Sequence, residues 1–567
     1  MHSYFKNLNF VVVLIFAAFF ISGCATYGTG IKACIENVEA ANYQKAEEEL
    51  NKALKPDGKD RLLYYMELGS IQRLGGKYPQ SNLSFETAEN FSEELYTKKA
   101  KDVLASMLLN PRQGSYPGND LENIYLNYFK AINYMDMAMD AGCFNSSEEE
   151  LFENAQVELK RLDYKLDSYE IQKGNYKNVK DKKETNFFNL LNIFNKFKGN
   201  LLDKDWLKFR EDAHARYLSG VIYELSGDYD SARISYHNSA ELYEQGYAKQ
   251  YELDSEITER AWFDTIRMMI KTGNWENEWP QYAKEKLSPE KRIKLKNLSD
   301  KKGQIIVIEH FGFAPQKKEL NLFLNAEPAS QSLYLYPVLT GEPEERDDQR
   351  AWFFLLYADK GVFSAIKNYS NGGLYGVVKG IQRKTISLGP LWKVAQDMGL
   401  ISAIGDTGIR INVPYYSPLR ADTGISIIES GNMEKKLIRC EDLGKIVLQT
   451  QLLNAGKELN ASLARAAMKS VIAFASASQF GQNAIVFGQL FSSLTSAAET
   501  RSWLMLPREI RINRFFVEPG EHEVQITTKT KNGTILDSRT KKFDVKEGEI
   551  KVWTKRTFNH SKKQEKK

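Results

Sequence analysis

Glu309 and His310 follow the apolar run Ile305-Ile306-Val307-Ile308, and a histidine beside a carboxylate at the end of a strand could act as a general base. The plainer expectation for the pair is a polar turn that does no chemistry. The other histidines are scattered. His214, His237 and His522 stand far apart in the sequence, and His2 and His560 lie near its ends. No HExxH or related ligand spacing occurs, so no metal site is expected. Gly372-Gly373-Leu374-Tyr375-Gly376 could line a phosphate. It lacks the strand–loop–helix context and a following Lys-Ser or Lys-Thr, and reads as a flexible turn. There is no GxxxxGK[ST] and no GxSxG, and Cys34, Cys143 and Cys440 have no histidine in a catalytic context, so they are expected to be buried structural thiols. The sequence thus offers no catalytic residue and calls for no cofactor.

The clearest chemistry lies at Cys24. A short basic start with Lys6 precedes an uncharged, mostly apolar run from Phe10 to Ile21, and Ser22-Gly23-Cys24 follows. The run is too short to span a bilayer comfortably and fits the apolar core of a signal peptide. The small residues before Cys24 resemble a bacterial lipobox, in which the thiol is alkylated by diacylglycerol and cleavage leaves the cysteine first. Residues 1–23 are then a signal peptide, and Cys24 carries the lipid. Ala25 follows where an inner-membrane retention signal would place aspartate, which favours the outer membrane.

Composition bounds the rest. The chain has 567 residues, 42% hydrophobic and 26% charged, with a formal net charge of +4. Such a chain is globular and holds several domains. The near-balanced charge gives no reason to expect nucleic acid.

Residues 24–301 read as helical hairpins with a repeating grammar. In LLYYMELGSIQRLGGKYPQSNLSFETAEN, Gly69 sits on a first helix, Gly76-Lys77-Tyr78 make a turn, and Ser81, Phe85 and Ala88 fall on a second helix. In RYLSGVIYELSGDYDSARISYHNSA, Gly220, Gly227-Asp228-Tyr229, Ala232 and Tyr236 hold matching offsets. Tyr43, Ala46, Leu50 and Ala53 mark a further second helix. Small residues that let paired helices approach are the pattern of a tetratricopeptide-like solenoid, whose stacked hairpins offer a surface for proteins or peptides. This half is expected to fold by itself. A charged insertion from Lys160 to Lys208 interrupts it and reads as a solvated loop.

The second half changes texture. Residues 302–441 mix strands and helices, residues 442–505 are helical and rich in small side chains, and residues 506–558 alternate as short strands. Pro519-Gly520, Asn532-Gly533 and Glu547-Gly548 punctuate those strands, which predicts a small antiparallel β-sandwich or sheet. The fold class is therefore multidomain α + β. Ser470–Ala498 holds no charge, and is read as a buried helical hairpin, with membrane or oligomer contact as the alternative. Residues 559–567 form a basic tail whose four lysines alone do not specify a membrane arm.

Four stretches carry a family resemblance: the helical half, GQIIVIEHFGFAPQKKE (Gly303–Glu319), GIRINVPYY (Gly408–Tyr416) and ETRSWLMLPREI (Glu499–Ile510). Together they resemble an uncharacterised family of bacterial tetratricopeptide-like outer-membrane lipoproteins, and the likeness covers most of the chain after Cys24. The resemblance implies an envelope lipoprotein with no assigned reaction and no catalytic residues to place on this sequence. The leading expectation is a non-enzymatic scaffold that binds envelope proteins through its repeats and the membrane through Cys24. A component of a secretion or surface-assembly complex, with an oligomerising helical segment, and a cell-wall enzyme with an unrecognised active site are the alternatives.

Overall fold

A computed structural model describes residues 27–101, 111–171, 190, 193–197, 212–299, 301–357, 369, 383–406, 408–419, 423–477 and 497–558. Cys24 and the 1–23 segment, most of the Lys160–Lys208 insertion, Gly372–Gly376, residues 478–496 and the 559–567 tail lie outside the described residues.

Helix pairs joined by short turns open the fold. α1 (Lys32–Glu39) packs on α2 (Tyr43–Ala53), and α3 (Arg61–Leu74) on α4 (Tyr78–Lys101). α5 (Asp120–Met139) packs on α6 (Glu148–Ile171), and α7 (Ala213–Leu225) on α8 (Tyr229–Leu242). α9 (Glu256–Thr272), α10 (Trp279–Lys286) and α11 (Pro289–Lys296) complete the helical layer. The two hairpins read from sequence are present, and their glycines are used as expected. A Cβ at Gly69 would lie 2.6 Å from the Phe85 ring, and one at Gly220 would lie 2.5 Å from the Tyr236 ring. Gly76 and Gly227 turn the chain with positive φ, where a side chain would be strained. The α5–α6 pair was not foreseen. α5 is buried on nearly every side, and a helix buried all round shows no amphipathic period.

The strands are β1 (Gly303–Phe311), β2 (Lys317–Glu327), β3 (Ser332–Val338), β4 (Lys384–Ser387), β5 (Ile409–Tyr416), β6 (Ile425–Ser430), β7 (Met433–Lys436), β8 (Ile438–Asp442), β9 (Glu509–Val517), β10 (Gly520–Lys529), β11 (Ile535–Val545) and β12 (Ile550–Thr557). Among the described residues they form three four-stranded sheets, ordered β12-β1-β9-β8, β11-β10-β6-β7 and β4-β3-β2-β5.

The first two sheets make a sandwich, and this corrects the expected C-terminal unit. Strands from 506–558 do not form a sheet of their own: β9 and β12 flank β1, and β10 pairs with β6. The β1–β12 pairing is parallel, with Gln304 opposite Ile550. The reason is burial on both faces of β1. Ile305 and Val307 point into the sandwich core with Phe515, Val524 and Ile526, whereas Ile306 and Ile308 point into the core shared with the helices. A strand covered on both faces reads as a continuous apolar run, and here it is also paired at both edges. The helical core continues without a break into Ile306, Ile438, Ile512 and Val552, so the boundary at 301 does not divide two cores.

The third sheet has a separate core with α12 (Pro343–Tyr357), α13 (Leu391–Asp397), α14 (Leu400–Ile404) and α15 (Leu443–Ala477). α15 buries Leu448, Leu452, Leu459 and Leu463 there. The second arm expected for the uncharged segment falls at 478–496, outside the described residues. No helix among the described residues is long and apolar enough to cross a membrane.

Candidate functional site: a polar joint between helices and sheet

α3, α5 and α7 lie against the β12-β1-β9-β8 sheet and reach β12, β1 and β9 in turn. Each contact has a buried polar anchor. On α3, Arg73 pairs with Asp136 of α5 at 2.8 Å, and the Thr554 hydroxyl of β12 donates to Asp136 at 2.8 Å. Tyr128 of α5 places its hydroxyl 3.0 Å from His214 Nε2 on α7 and 3.1 Å from His310 Nε2 on β1. Burial pushes His214 down to about 3, and burial followed by Arg73 and Arg556 holds His310 well below its ordinary value. Both rings are therefore neutral near pH 7.

Glu224 of α7 is the densest anchor. It accepts a bidentate pair from Arg267 of α9, at 2.5 and 2.6 Å, and a third bond from Arg514 of β9 at 2.7 Å. Tyr236 donates to Glu224 at 2.9 Å, and Tyr217 donates to Asp264 at 2.5 Å. Two carboxylates thus face two guanidinium groups, a balance that buried charge requires. Further along, Tyr247 donates to Glu441 of β8 at 2.8 Å, and Tyr125 donates to Asp212 at 2.9 Å. Asp212 and Glu441 are hydrogen-bonded to each other, and burial raises both carboxyls, Glu441 far above its ordinary value.

Glu309 and His310 do not work together. They lie within β1 rather than in a turn after it, and successive strand residues face opposite sides of a sheet. His310 faces the helices. Glu309 faces the sandwich, where Ser426, Thr528 and Thr557 donate to it at 2.5, 2.9 and 2.7 Å and Arg511 lies at 3.2 Å. Burial alone would raise the Glu309 carboxyl, but Arg511 and Lys555 outweigh that and hold it below its usual range. The pair read as a candidate base is thus two separate pieces of interior structure.

The ETRSWLMLPREI stretch is the other half of the joint. Before β9 it runs against α3 and α5, and two lone carboxylates hold its backbone. Glu122 accepts from Trp503 N–H at 2.7 Å, and Glu67 accepts from Leu504 and Met505 N–H at 2.9 and 3.1 Å. Trp503 Nε1–H donates to Ser70 at 2.9 Å, and Arg501 pairs with Asp60 at 2.6 Å. Burial pushes the Glu67 carboxyl up to about 8.

The remaining sequence candidates are dispersed. His237 stands beside Trp262, with ring centroids 5.3 Å apart, and His522 is half-buried on β10. Cys34 and Cys440 are buried as expected, and burial pushes the Cys34 thiol up to about 12. Cys143 is exposed, at the end of the single 3-10 turn Ala141–Cys143 that follows α5. Among the described residues no three His, Cys, Asp or Glu side chains gather as metal ligands. A shallow depression between α15 and β5 is lined by Asn412, Ser462, Arg465 and Lys469, none of them a sequence candidate.

Sequence reasoning missed Glu224, Arg511 and Arg514. A signal was present: each is a charge inside an apolar run, YLSGVIYEL or EIRINRFFV, and such charges are seldom buried unless paired.

No family model matches the chain, and no curated protein matches it. Among solved structures, the crystal structure of a tetratricopeptide repeat protein from Parabacteroides merdae ATCC 43184 is similar at 14% identity, over 48% of this chain and 84% of that chain, with a TM-score of 0.19. A likeness at that score carries no argument about fold or function. The resemblance to a lipoprotein family stands on the four sequence stretches alone.

Proposed function

We propose that the chain is a non-enzymatic scaffold lipoprotein of the bacterial cell envelope, anchored through Cys24 to the periplasmic side of the outer membrane, that binds envelope proteins on its helical layer. One observation supports the binding role above others. α3, α5 and α7 are covered by the chain's own sheet, and their partners α4, α6 and α8 carry large apolar side chains in the open. Leu83 on α4 is 70% exposed and Tyr164 on α6 is 75% exposed, with Val157 on α6 and Ile234 on α8 about half exposed. The helix face that would ordinarily grip a partner is already filled, which moves the partner surface to the outer helices and fixes it on a rigid base.

The test is recovery of the protein from native membranes under mild solubilisation. The unaltered chain should bring down a stoichiometric envelope protein. A variant with Leu83→Glu, Tyr164→Glu and Ile234→Glu should lose it while melting normally. Equal recovery by both proteins would remove the outer helices as the binding surface. Cys24→Ala should abolish palmitate labelling and membrane fractionation, and unchanged labelling would end the anchor reading.

A further inference from the structure

Four cations meet where β9 runs on past the start of β8. The pairing of the two strands begins at Ile438 opposite Ile512, and β9 continues to Val517. Beyond that point Arg260 of α9 donates to the Arg514 carbonyl at 3.0 Å and to the Asn513 amide oxygen at 3.4 Å. Asn513 in turn donates to the Lys436 carbonyl on β7 at 2.5 Å, beside Lys435. Lys294 of α11 stands 5.3 Å from the centre of the Phe516 ring, and Lys291 precedes it by one turn. Phe263 of α9 closes the circle, with its ring 6.5 Å from Phe516 and 6.0 Å from the Arg260 guanidinium.

These charges are not balanced from within the chain. Arg260 is 5% exposed, yet both its acceptors are neutral and its Nε has no hydrogen-bond partner. Three acids act on the cluster without closing the balance. Asp264 is held by Arg267 and Arg514, and Glu259 accepts from Ser288 N–H at 2.7 Å. Glu256 is exposed at the start of α9 and offsets only part of the charge around Lys291. Burial, and after it Arg260, Lys291 and Lys435, push the Lys294 amine down to about 8. Charges this far from water are seldom left unpaired.

We propose that the notch between α9, α11, β7 and β9 binds a phosphate group, with Arg260 at its closed end and Lys291, Lys294 and Lys435 around it. Arg260 uses Nη2 to hold the β9 backbone and keeps Nε–H for a ligand oxygen. A guanidinium so fixed suits phosphate, whose oxygens accept charge-assisted bonds in its plane. The lysines act as mobile point charges on longer stems. One carboxylate would leave most of this charge unanswered, whereas a phosphate monoester carries about −1.5 to −2 near neutral pH. Lys435 is exposed on β7 and marks the open side, so the phosphate is either free or borne on a larger molecule. Binding returns the Lys294 amine to its charged form, because the opposite charge offsets both its burial and its cationic neighbours.

The experiment is brief acetylation of the purified full-length chain by acetic anhydride near pH 8, with labelling of each lysine read by mass spectrometry. Inorganic phosphate should slow the labelling of Lys294 about tenfold, the effect of raising its pKa by one unit. It should leave Lys542, exposed on β11, unchanged. Glycerol 3-phosphate forms the second arm: protection there too assigns the site to a phosphate on a larger molecule, and protection by inorganic phosphate alone assigns it to the free ion. Arg260→Gln should abolish the protection. Lys291→Gln, at a half-buried position that the fold should tolerate, should weaken it. Chloride at matched ionic strength and acetate should protect far less. Equal protection by either, none by phosphate, or protection indifferent to Lys291→Gln overturns the proposal.

Discussion

The carboxylate that clamps the Leu504–Met505 backbone and the one at the centre of the sandwich are both sealed from water, yet their surroundings differ in kind. Glu67 is met by donors without charge: two backbone N–H groups and the Tyr27 hydroxyl. Glu309 is met by three hydroxyls together with Arg511 and Lys555. Burial raises Glu67 to about 8, while the two cations hold Glu309 below its usual range. Hydrogen bonds alone do not offset the desolvation of Glu67, and a full positive charge nearby does so for Glu309. The helix-bound segment and the sandwich should therefore answer to pH in opposite directions.

The largest effect should come from removing one member of a balanced buried cluster. Glu224→Ala leaves Arg267 and Arg514 facing Asp264 alone and should cost about 3–5 kcal/mol, read as a fall in the urea midpoint. Replacing Glu224 and Arg514 together by Met should cost far less, because no charge is stranded. Equal losses in the single and double variants would show that packing, not pairing, holds the joint.

Next comes Glu67. Between its ordinary value of 4.5 and its folded value of about 8, the folded chain keeps a proton that the unfolded chain has released. Its contribution is therefore complete below about 4.5, falls as pH rises towards 8 and is flat above. Melting temperatures taken across that window should decline for the unaltered chain and decline less for Glu67→Gln. Matching slopes would place the titration on another group.

Within the helical layer, Gly220→Leu should force the Tyr236 ring aside and cost about 1–3 kcal/mol. Gly30→Leu should be close to neutral, since nothing lies within 4 Å of a Cβ there. Similar thermal shifts for the two would argue against close approach as the reason for Gly220. The narrowest readout, the pH of acid unfolding, belongs to Glu309. Its folded pKa is lowered, so its contribution is present at neutral pH and lost as pH falls through the folded value. Arg511→Met should move acid unfolding, followed by circular dichroism, to higher pH, and an unmoved transition would assign it to other carboxylates.

What the sequence made legible was local. The Gly69–Phe85 and Gly220–Tyr236 contacts each lie within one hairpin, so spacing alone reveals them. Gly520, Gly533 and Gly548 all take positive φ at the turns read from Pro-Gly, Asn-Gly and Glu-Gly pairs. What stayed hidden was the choice of distant partners. Nothing near Gln304 announces Ile550, because register between remote strands is set by which faces end up buried, not by neighbours in the chain. Glu309 and His310 were read as a turn for the same reason. A charged pair in a strand looks like the end of that strand until its partners, Arg511 and Tyr128, are brought in from far away.

The parallel pairing of β1 with β12 also sets a timetable for the molecule's birth. β12 is needed to close the sheet on which the helix pairs rest, and it ends at Thr557. At roughly 5–20 residues per second, a ribosome takes from about half a minute to nearly two minutes to reach that point. During this interval the sheet-facing sides of α3, α5 and α7 have been made and have nothing to cover them. Contacts spanning so much of the sequence also slow the final search, since a long loop must close before the pairing can stabilise it. The young chain should therefore be a client of holding chaperones for far longer than its helical half alone would require.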